Sequence, residues 1–355
     1  MTQHVSPVLF APSATEILER GQWLVRPALR DATSRLHPDV ARMAEFTLGW
    51  CDADGTPRHD NAAKGVRPAL AVLCAEAVGG PAEAAVAGAA AVELVHTFSL
   101  VHDDIMDGDE RRRHRDTVWK SFGVGPAVLA GDALFALAVG ALAETAPQVR
   151  PAAVRALSHA LVDLVNGQAE DISFERRPWS GLGAVTVDEY SAMAGCKTGA
   201  LLGCAAGLGA LLGGAPADVV NALTRMGRHL GLAFQAVDDL LGIWGDPAVT
   251  GKPVFSDLRR GKKTLPVIAA LSAGPAVRAE LLDLLDPRRS GTGSSESGFR
   301  RAAALIDEAG GRSFTTDLAE RQLDLALRII DEAAVDREAV AGLTVLCDLV
   351  ANRTR

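Results

Sequence analysis

The sequence has few aromatic residues and no useful stretch of alternating apolar and polar residues. Aromatic side chains are 5% of the 355 residues, with a single tyrosine, whereas hydrophobic residues make up 48%. Because β-branched and aromatic residues favour strands while Ala and Leu favour helices, this composition predicts a helical protein. The hydrophobic fraction also excludes a disordered chain and allows a sizeable core.

Cysteines are few, scattered and odd in number. The five are Cys51, Cys74, Cys196, Cys204 and Cys347, and no two form a C-x-x-C pair. This pattern excludes a disulfide framework and indicates no zinc site. The N-terminus lacks a basic segment followed by an apolar run, so no signal peptide is evident. We therefore expect a cytoplasmic protein in a reducing compartment.

Acidic residues outnumber basic ones, and the formal net charge is −8. A sequence-independent nucleic-acid binder needs a basic surface, so no nucleic-acid partner is expected. An enzyme of anionic substrates with this charge would need metal cations to bridge protein and substrate.

One uncharged stretch, residues 199–217, is long enough to span a bilayer. Its residues are mostly Gly, Ala and Leu, which add little apolar surface but allow close helix packing. We interpret it as a buried core helix and expect no transmembrane span.

No linker rich in Pro, Gly and Ser divides the chain into halves. Residues 287–298 predict a flexible loop and residues 49–61 a turn-rich stretch, whereas 84–106 and 219–244 are long apolar helices. The organisation predicted is a single all-α domain over residues 1–355, built as one large helical bundle.

The most informative motif is Asp103-Asp104-Ile105-Met106-Asp107, which follows an apolar helix. Positions i and i+4 share a helix face, so Asp103 and Asp107 point the same way and repel each other. Divalent cations with oxygen ligands would offset that repulsion. The alternative interpretation is an acidic, solvated helix end.

A second aspartate pair, Asp238-Asp239, ends another apolar helix and follows Phe234-Gln235. Two facing carboxylate clusters are suited to clamp a shared group through several metal ions. Magnesium binds few carboxylates and usually shares phosphate oxygens, so a diphosphate is the natural bridging ligand.

Basic residues lie close in sequence to both motifs. Arginine offers forked donors to phosphate and lysine a point charge, although each residue alone is more often a solvated surface charge. The set comprises Lys64, Arg67, Arg111, Arg112, Arg113, Lys197, Lys252, Lys262 and Lys263.

Together with further short motifs, these features carry a specific resemblance. The segments are K-G-V-R-P from Lys64, E-L-V-H from Glu93, D-D-I-M-D from Asp103, the pair Arg112-Arg113, G-D at Gly131, G-Q-A-E-D from Gly167, K-T-G from Lys197, F-Q-A-V-D-D from Phe234, G-K at Gly251, and Asp257 with G-K at Gly261. In this order they resemble a trans-isoprenyl diphosphate synthase of the polyprenyl synthase family, and short-chain geranylgeranyl diphosphate synthases in particular.

The resemblance implies an isoprenoid synthase-type bundle with a central cavity, usually a homodimer, that condenses isopentenyl diphosphate with an allylic diphosphate. It implies about three magnesium ions at Asp103, Asp107 and Asp238, with Asp104 and Asp239 beside them. The implied catalytic set adds Arg112, Lys197, Thr198, Gln235 and Lys262, and the implied substrate-binding set is Lys64, Arg67, His96, Arg113 and Lys252.

The second motif departs from the family pattern at its fifth position. The family usually has a third aspartate there, and this chain has Gly242. Asp246, one helical turn further on, would substitute in part if the helix continues.

Product length is predicted from the position of Phe98. This residue precedes Asp103 by five positions, roughly 7.5 Å deeper along a helix, where its ring can form a floor. In the family, a bulky residue there implies products that stop at C20. Geranylgeranyl diphosphate is therefore expected, with farnesyl diphosphate second, and ordinary core packing is the alternative role for Phe98.

Three rival functions stay open. A class I terpene cyclase would use the same ionisation, and Gly242 mildly favours it, but it needs no isopentenyl diphosphate site. A non-catalytic partner subunit would be expected to lose first-motif aspartates, which are all present. A helical metal phosphohydrolase that uses His102-Asp103 leaves the second aspartate pair unexplained.

Overall fold

The computed structural model describes residues 12–58, 65–112, 115–247, 253–286, 295–333 and 336–351. Its α-helices in chain order are α1 Ala14–Ser34, α2 Pro38–Thr47, α3 Val66–Ala77, α4 Val86–Met106, α5 Val118–Phe122, α6 Val124–Ala143, α7 Arg150–Arg176, α8 Val187–Ala194, α9 Ala200–Leu212, α10 Ala217–Trp244, α11 Ser256–Arg259, α12 Leu265–Ala273, α13 Pro275–Leu285, α14 Glu296–Glu308, α15 Gly311–Glu332 and α16 Arg337–Ala351. The all-α class expected from composition is confirmed.

Three short elements interrupt this helical pattern. A 3₁₀ helix, Ala82–Ala85, leads into α4, and a π-helical turn, Gly195–Gly199, joins α8 to α9. A hairpin of two antiparallel two-residue strands, β1 Arg111–Arg112 and β2 Arg115–Asp116, follows α4. The sequence analysis predicted none of these, because elements this short carry no periodicity.

The start of α14 has a side-chain cap, and it corrects a predicted loop. Ser295 caps α14, since its hydroxyl accepts a hydrogen bond from the Gly298 backbone N–H at 3.1 Å. The predicted flexible loop 287–298 is therefore too long at its C-terminal end, because 296–298 are helical. Residues 287–294 of that loop, and 59–61 of the turn-rich stretch, lie outside the described residues.

The centre of the bundle is built by α9 and α10, which also pack against α3 and α15 respectively. The uncharged stretch is a buried helix as predicted, since residues 200–210 are all buried. It ends at Leu212, however, and α10 begins at Ala217. Glycine allows the close contact: a Cβ added at Gly227 of α10 would lie 2.5 Å from the Leu202 carbonyl oxygen of α9.

Helix α4, which carries the first aspartate motif, is also held by a close contact at a glycine. Helix α4 packs between α3 and α6, and a Cβ at Gly131 of α6 would collide with the His102 ring. The largest core cluster includes side chains from α1 at one end of the chain and α16 at the other. This shared core supports the single-domain organisation, which stays a prediction.

Three helical segments are long and apolar enough to cross a membrane by length and composition: Ala82–Met106, Val124–Ala143 and Val187–Leu212. The first and third are mostly buried inside the bundle, whereas about two thirds of Val124–Ala143 is not. The expected absence of a membrane span stays a prediction. All five cysteines are free, and the cytoplasmic location likewise stays a prediction.

The contact between α7 and the π-helical turn generates the first test. A Cβ at Gly167 would lie 2.4 Å from the Lys197 backbone nitrogen, so Gly167→Ala must push α7 away from this turn. We expect the free energy of unfolding to fall by about 1–3 kcal/mol, measured by chemical denaturation. Gly140→Ala is the matched control, because nothing lies within 4 Å of that Cβ position in α6. It should leave stability unchanged or raise it by up to ~1 kcal/mol.

Candidate active site

The first aspartate motif occupies the C-terminal turn of α4. The helix ends at Met106, and Asp107 is its C-cap, with its backbone N–H bonded to the Asp103 carbonyl at 2.8 Å. Asp103 and Asp107 therefore keep the shared face that the spacing predicted. Asp104 points elsewhere and is buried, with only 5% of its surface exposed.

Asp104 is paired with Arg112 of the small hairpin. The Arg112 guanidinium donates from Nε to Asp104 Oδ1 at 2.8 Å, and its Nη2 lies 2.7 Å from the same oxygen in an ion pair. Burial raises the pKa of the Asp104 carboxyl, and the guanidinium acts against that rise. This ion pair holds the segment that follows the motif against α4. The Asp104 carboxylate therefore positions Arg112.

Asp103 lies in a strongly charged neighbourhood. Burial raises the pKa of its carboxyl to about 6; Lys197 and Arg112 act to lower it, whereas Asp107 and Asp171 act to raise it. Three carboxylates thus act on one another here. A divalent cation near Asp103 would favour its ionised form, because opposite charge stabilises a carboxylate.

Two lysines approach these carboxylates from different elements. Lys197, on the π-helical turn, donates to Asp171 of α7. Lys262, which follows α11, donates from Nζ to Asp107 Oδ2 at 3.1 Å. Burial opposes the charge of Lys262, but Asp107, Asp171 and Asp257 together raise its pKa. The predicted catalytic lysines are therefore brought together with the first motif.

The second motif has one outward and one enclosed aspartate. Asp238 is partly exposed, whereas Asp239 is only 2% exposed. Asp239 accepts hydrogen bonds from the Tyr190 hydroxyl at 2.6 Å, the Gln235 amide at 3.0 Å and the Leu265 backbone N–H at 3.1 Å. This enclosed position argues against the metal-ligand role predicted for Asp239 and makes it an anchor between α8, α10 and α12.

The same network reaches Thr198, which the sequence predicted to face a developing cation. Its hydroxyl donates to the Gln235 side-chain oxygen at 2.7 Å, and Gln235 in turn donates to Asp239. Burial raises the pKa of Asp239 to about 7, and hydrogen bonds from Tyr190, Gln235 and Leu265 oppose the rise. Hydrogen bonds thus join Thr198 and Gln235 and fix the orientation of both dipoles. Their predicted role of facing the allylic cation stays a prediction.

The substitute proposed for the missing third aspartate is wrong. Helix α10 ends at Trp244, and Gly245 is extended (φ −67°, ψ 144°), so Asp246 does not lie one helical turn beyond Gly242. Pro247 explains the ending, because a proline disfavours helical backbone in the residue before it. Asp246 is exposed, beyond the end of the helix.

The predicted isopentenyl diphosphate residues are described only in part. Arg67 lies in the first turn of α3 and His96 in α4, both partly buried, and these two helices pack together. Lys64, Arg113 and Lys252 lie outside the described residues. Their predicted roles stay predictions.

Phe98 lies on a different face of α4 from Asp103. Its ring meets the His102 ring at 5.0 Å and the Phe135 ring of α6 at 5.9 Å, centroid to centroid. His102 also faces α6, with Nε2 3.3 Å from the Val128 carbonyl oxygen. Ser99, one turn before Asp103, shares the aspartate face instead.

Four residues of the site escaped the residue-level predictions: Asp171, Tyr190, Asp257 and Arg260. Asp171 and Asp257 lay inside quoted motifs, so a signal was present. Arg260 is paired with Asp109 and lies 3.8 Å from Asp107, but nothing separates it in sequence from other surface arginines. No sequence pattern around Tyr190, the single tyrosine, marks it as a residue of the site.

Gln168, on α7 one turn before Asp171, is also part of this region. Both polar atoms of its amide are buried and lack a hydrogen-bond partner among the described residues. Leaving a buried polar atom unpaired costs about 1–3 kcal/mol, so this amide suits a ligand that supplies polar groups.

The donor set fits a hard divalent cation that is shared with phosphate. The outward side chains are carboxylates, and oxygen donors are those that magnesium prefers. Among the described residues, no three His, Cys, Asp or Glu side chains form a metal-binding group by themselves. A cation held here must take further ligands from elsewhere, as magnesium does from water and substrate phosphates.

A half-open pocket of about 430 Å³ lies away from these residues. It is lined by the α7–α8 connection, α12, Lys263 and Arg278, and none of the predicted site residues lines it. This pocket is therefore not the central cavity that the resemblance implies. The central cavity stays a prediction.

Comparison with known proteins shows the family of the chain. Residues 58–299 match the family model described as Polyprenyl synthetase. A (2E,6E)-farnesyl diphosphate synthase of Mycobacterium tuberculosis is 43% identical over 330 residues, 93% of this chain and 90% of the relative. A geranylgeranyl diphosphate synthase of the same organism is also 43% identical, over 332 residues and 93% of each chain.

The fold has close counterparts among solved structures. The crystal structure of a polyprenyl synthetase from Streptomyces coelicolor A3(2) superposes with a TM-score of 0.88 at 50% identity. The match covers 95% of this chain and 99% of that one. The similarity therefore extends over the helices that carry both aspartate motifs.

The hydrogen bond from Tyr190 to Asp239 generates a pH-dependent prediction. This bond favours ionised Asp239, whose pKa is about 7 in the folded protein. Tyr190→Phe should therefore cost most stability above pH 7, where the carboxylate is charged, and less at pH 5, where it is protonated. We expect a loss of about 1–3 kcal/mol at pH 8, measured by urea denaturation at both pH values. An equal loss at pH 5 and pH 8 would contradict this assignment.

Proposed function

Since the chain belongs to the polyprenyl synthetase family and is a trans-prenyl diphosphate synthase, we propose that it condenses isopentenyl diphosphate with an allylic diphosphate to form geranylgeranyl diphosphate. The observation that carries this proposal is the position of Lys262. Its ammonium group contacts Asp107 of the first motif, and its pKa is raised, against the effect of burial, by Asp107, by Asp171 and by Asp257, which follows the second motif. Carboxylates from two helices thus surround one cationic centre, which suits a diphosphate and its cations.

Members of this family are generally dependent on a divalent metal. We propose Mg²⁺, about three ions for each active site, with Asp103, Asp107 and Asp238 as the protein ligands. When bound, the metal ions supply positive charge that stabilises the departing diphosphate. The role proposed for Asp104 is to hold Arg112 and the turn after the motif.

The side chains would assist the ionisation as follows. Lys197, Lys262 and Arg112 neutralise charge on the diphosphate as the allylic C–O bond breaks and its electron pair leaves with the diphosphate. Thr198 and Gln235 direct their dipoles at the allylic cation. Their mutual hydrogen bond supports this role, because it fixes the orientation of both groups.

The second substrate then forms the new bond. The proposed site for isopentenyl diphosphate is Lys64, Arg67, His96 and Arg113, with Lys252 near the other diphosphate. The double bond of isopentenyl diphosphate attacks the allylic cation, a carbon–carbon bond forms, and a proton leaves to the released diphosphate. No side-chain base is required.

Product length rests on a local argument, because the curated C15 and C20 synthases are equally similar to this chain. Phe98 packs between α4 and α6, about one and a half turns below Asp103. A prenyl tail that runs down α4 toward α6 would meet this ring. We therefore favour a C20 product, with farnesyl diphosphate as the alternative.

The direct test is to incubate the purified protein with Mg²⁺, isopentenyl diphosphate and each allylic diphosphate from C5 to C15, and to identify products by mass spectrometry. We expect a C20 diphosphate and no product when EDTA removes the metal. A C15 product would support the farnesyl alternative. A hydrocarbon formed from the allylic substrate alone would indicate a cyclase, and no turnover would indicate a partner subunit.

Chain length can be tested on both faces of α4. Phe98→Ala should open the floor and yield products longer than C20. Ser99→Phe should shorten the product, because Ser99 lies on the Asp103 face one turn below the motif. If Phe98 only packs the core, Phe98→Ala will lower the melting temperature and leave the product length unchanged.

We also propose that the chain forms a homodimer through α6 and α7. Both helices expose large apolar side chains, among them Val128, Leu129, Phe135, Val162 and Val165. On α6 these recur at helical spacing, and Phe135 lies at the edge of the α4 contact, where its ring also meets Phe98. Exposed apolar patches of this kind are typical of protein interfaces, and the covered face would lie beside the first motif helix.

Leu129→Asp should dissociate the dimer, because Leu129 is 60% exposed at the centre of this face and a buried unpaired carboxylate is costly. Sedimentation velocity should show a shift from about 74 kDa to the 37.0 kDa chain. Leu182→Asp is the matched control, since Leu182 is fully exposed in the α7–α8 connection. A monomeric wild-type protein would overturn the proposal.

A further inference from the structure

The space beside Gly242, where a side chain of the second motif would project, is filled by Asp257. A Cβ built at Gly242 would lie 1.9 Å from Asp257 Oδ2 and 2.4 Å from Asp257 Cγ. These distances are far below any real contact, so the Asp257 carboxylate occupies the space into which a side chain at 242 would project. The glycine is therefore required by this arrangement.

That space is on the same side of α10 as Asp238. Residues 238 and 242 are four apart in a continuous helix, so their Cα–Cβ directions share one face, one turn apart. Asp238 is the outward member of its pair, as described above. The Asp257 carboxylate thus lies next to Asp238 where the fifth residue of a D-D-x-x-D motif would place its own carboxylate.

The backbone that presents Asp257 is held firmly against α10. The Phe255 N–H donates to the Ile243 carbonyl at 3.3 Å, and the Ser256 hydroxyl donates to the Gly242 carbonyl at 3.1 Å. Phe255 has left-handed backbone angles (φ 61°, ψ 27°), and no other non-glycine among the described residues has a positive φ. Such a conformation is unfavourable for a residue with a side chain and persists where the surroundings enforce it.

The charges around Asp257 also place it on the cleft side. Its charge acts on Lys262, after the larger effects of burial, Asp107 and Asp171, so Asp257 lies within electrostatic range of the ammonium group that contacts the first motif. The Lys262 backbone N–H donates to the Asp257 carbonyl at 2.9 Å, which fixes the two residues relative to each other. The Asp257 carboxylate thus lies between the Gly242 face of α10 and the charges around Lys262, and its Oδ1 accepts a hydrogen bond from the Ser256 hydroxyl at 3.4 Å.

We propose that Asp257 supplies the third carboxylate of the second acidic motif and, with Asp238, binds a divalent cation in the active site. This carboxylate comes from α11 and not from α10, which carries Asp238, and Gly242 leaves open the space that it fills. This inference rests on the proposed function, since it assigns a residue to the metal site of the same reaction.

The test measures metal affinity directly. Mn²⁺ is titrated into the full-length protein in the presence of inorganic diphosphate, and bound metal is followed by electron paramagnetic resonance. Asp257→Asn should weaken Mn²⁺ binding on the order of 10- to 100-fold, as changes around metal ligands usually do. Asp246→Asn is the matched control, an exposed carboxylate beyond α10 that should leave the affinity unchanged. Melting curves of the metal-free variants monitor folding.

Two further variants separate a ligand from a structural carboxylate. Gly242→Ala should weaken Mn²⁺ binding as Asp257→Asn does, because its methyl group displaces the Asp257 carboxylate. The double variant Gly242→Asp, Asp257→Ala should regain most of the affinity that Asp257→Ala alone loses, because the carboxylate returns from the helix. A purely structural role for Asp257 predicts no such recovery.

The outcomes distinguish this inference from the proposed function. Wild-type affinity in Asp257→Asn, or a loss in Asp246→Asn alone, would overturn the role of Asp257 and leave the synthase assignment intact. If the wild-type protein itself binds no Mn²⁺ with diphosphate, the proposed metal chemistry fails first, and the inference fails with it. Product formation by the wild-type protein, measured separately, shows whether the reaction itself occurs.

Discussion

The structure of the site depends on repulsion between carboxylates that the fold forces together. Asp103 and Asp107 come from the end of α4, Asp171 from α7 and Asp257 from the short helix α11. Burial, together with the charges of Asp107 and Asp171, raises the pKa of the Asp103 carboxyl. Lys197 and Lys262 lie among them and supply the opposing charge. A cation among these carboxylates would favour their ionised forms, because opposite charge stabilises a carboxylate. The net negative charge of the chain is thus compatible with an anionic substrate.

Close backbone contacts hold these charges in place. Glycines at 131, 167 and 227 stand where any side chain would collide with a neighbouring helix. The π-helical turn at Gly195–Gly199 sits against α7 at Gly167, and it turns Lys197 toward Asp171 while Thr198 reaches Gln235. A local π-helix inside a longer helix is frequent at functional sites, since it redirects side chains without ending the helix. The polar network behind Asp239 then ties this turn to α10 and α12.

Much of this could be predicted from sequence because the relevant signals are local. Composition and apolar periodicity predicted the helical class, and the motif from Asp103 to Asp107 predicted a shared carboxylate face. The family resemblance, carried by ordered short motifs, is confirmed over most of the chain. The errors arose where a residue's neighbour is distant in sequence. Asp239 looked like a ligand beside Asp238, but Tyr190 and Leu265 enclose it, and neither is near it in the chain.

The sequence by itself determined the fold class, the reaction family and the two aspartate motifs, since each depends on residue type and on spacings of a few positions. Only the tertiary structure decided which of those aspartates faces the cleft. It showed that α10 stops before Asp246, that Phe98 points toward α6, and that the Asp257 carboxylate fills the space beside Gly242. The physical reason is that burial and contact are properties of neighbours in space, and helix packing brings those neighbours from far along the chain.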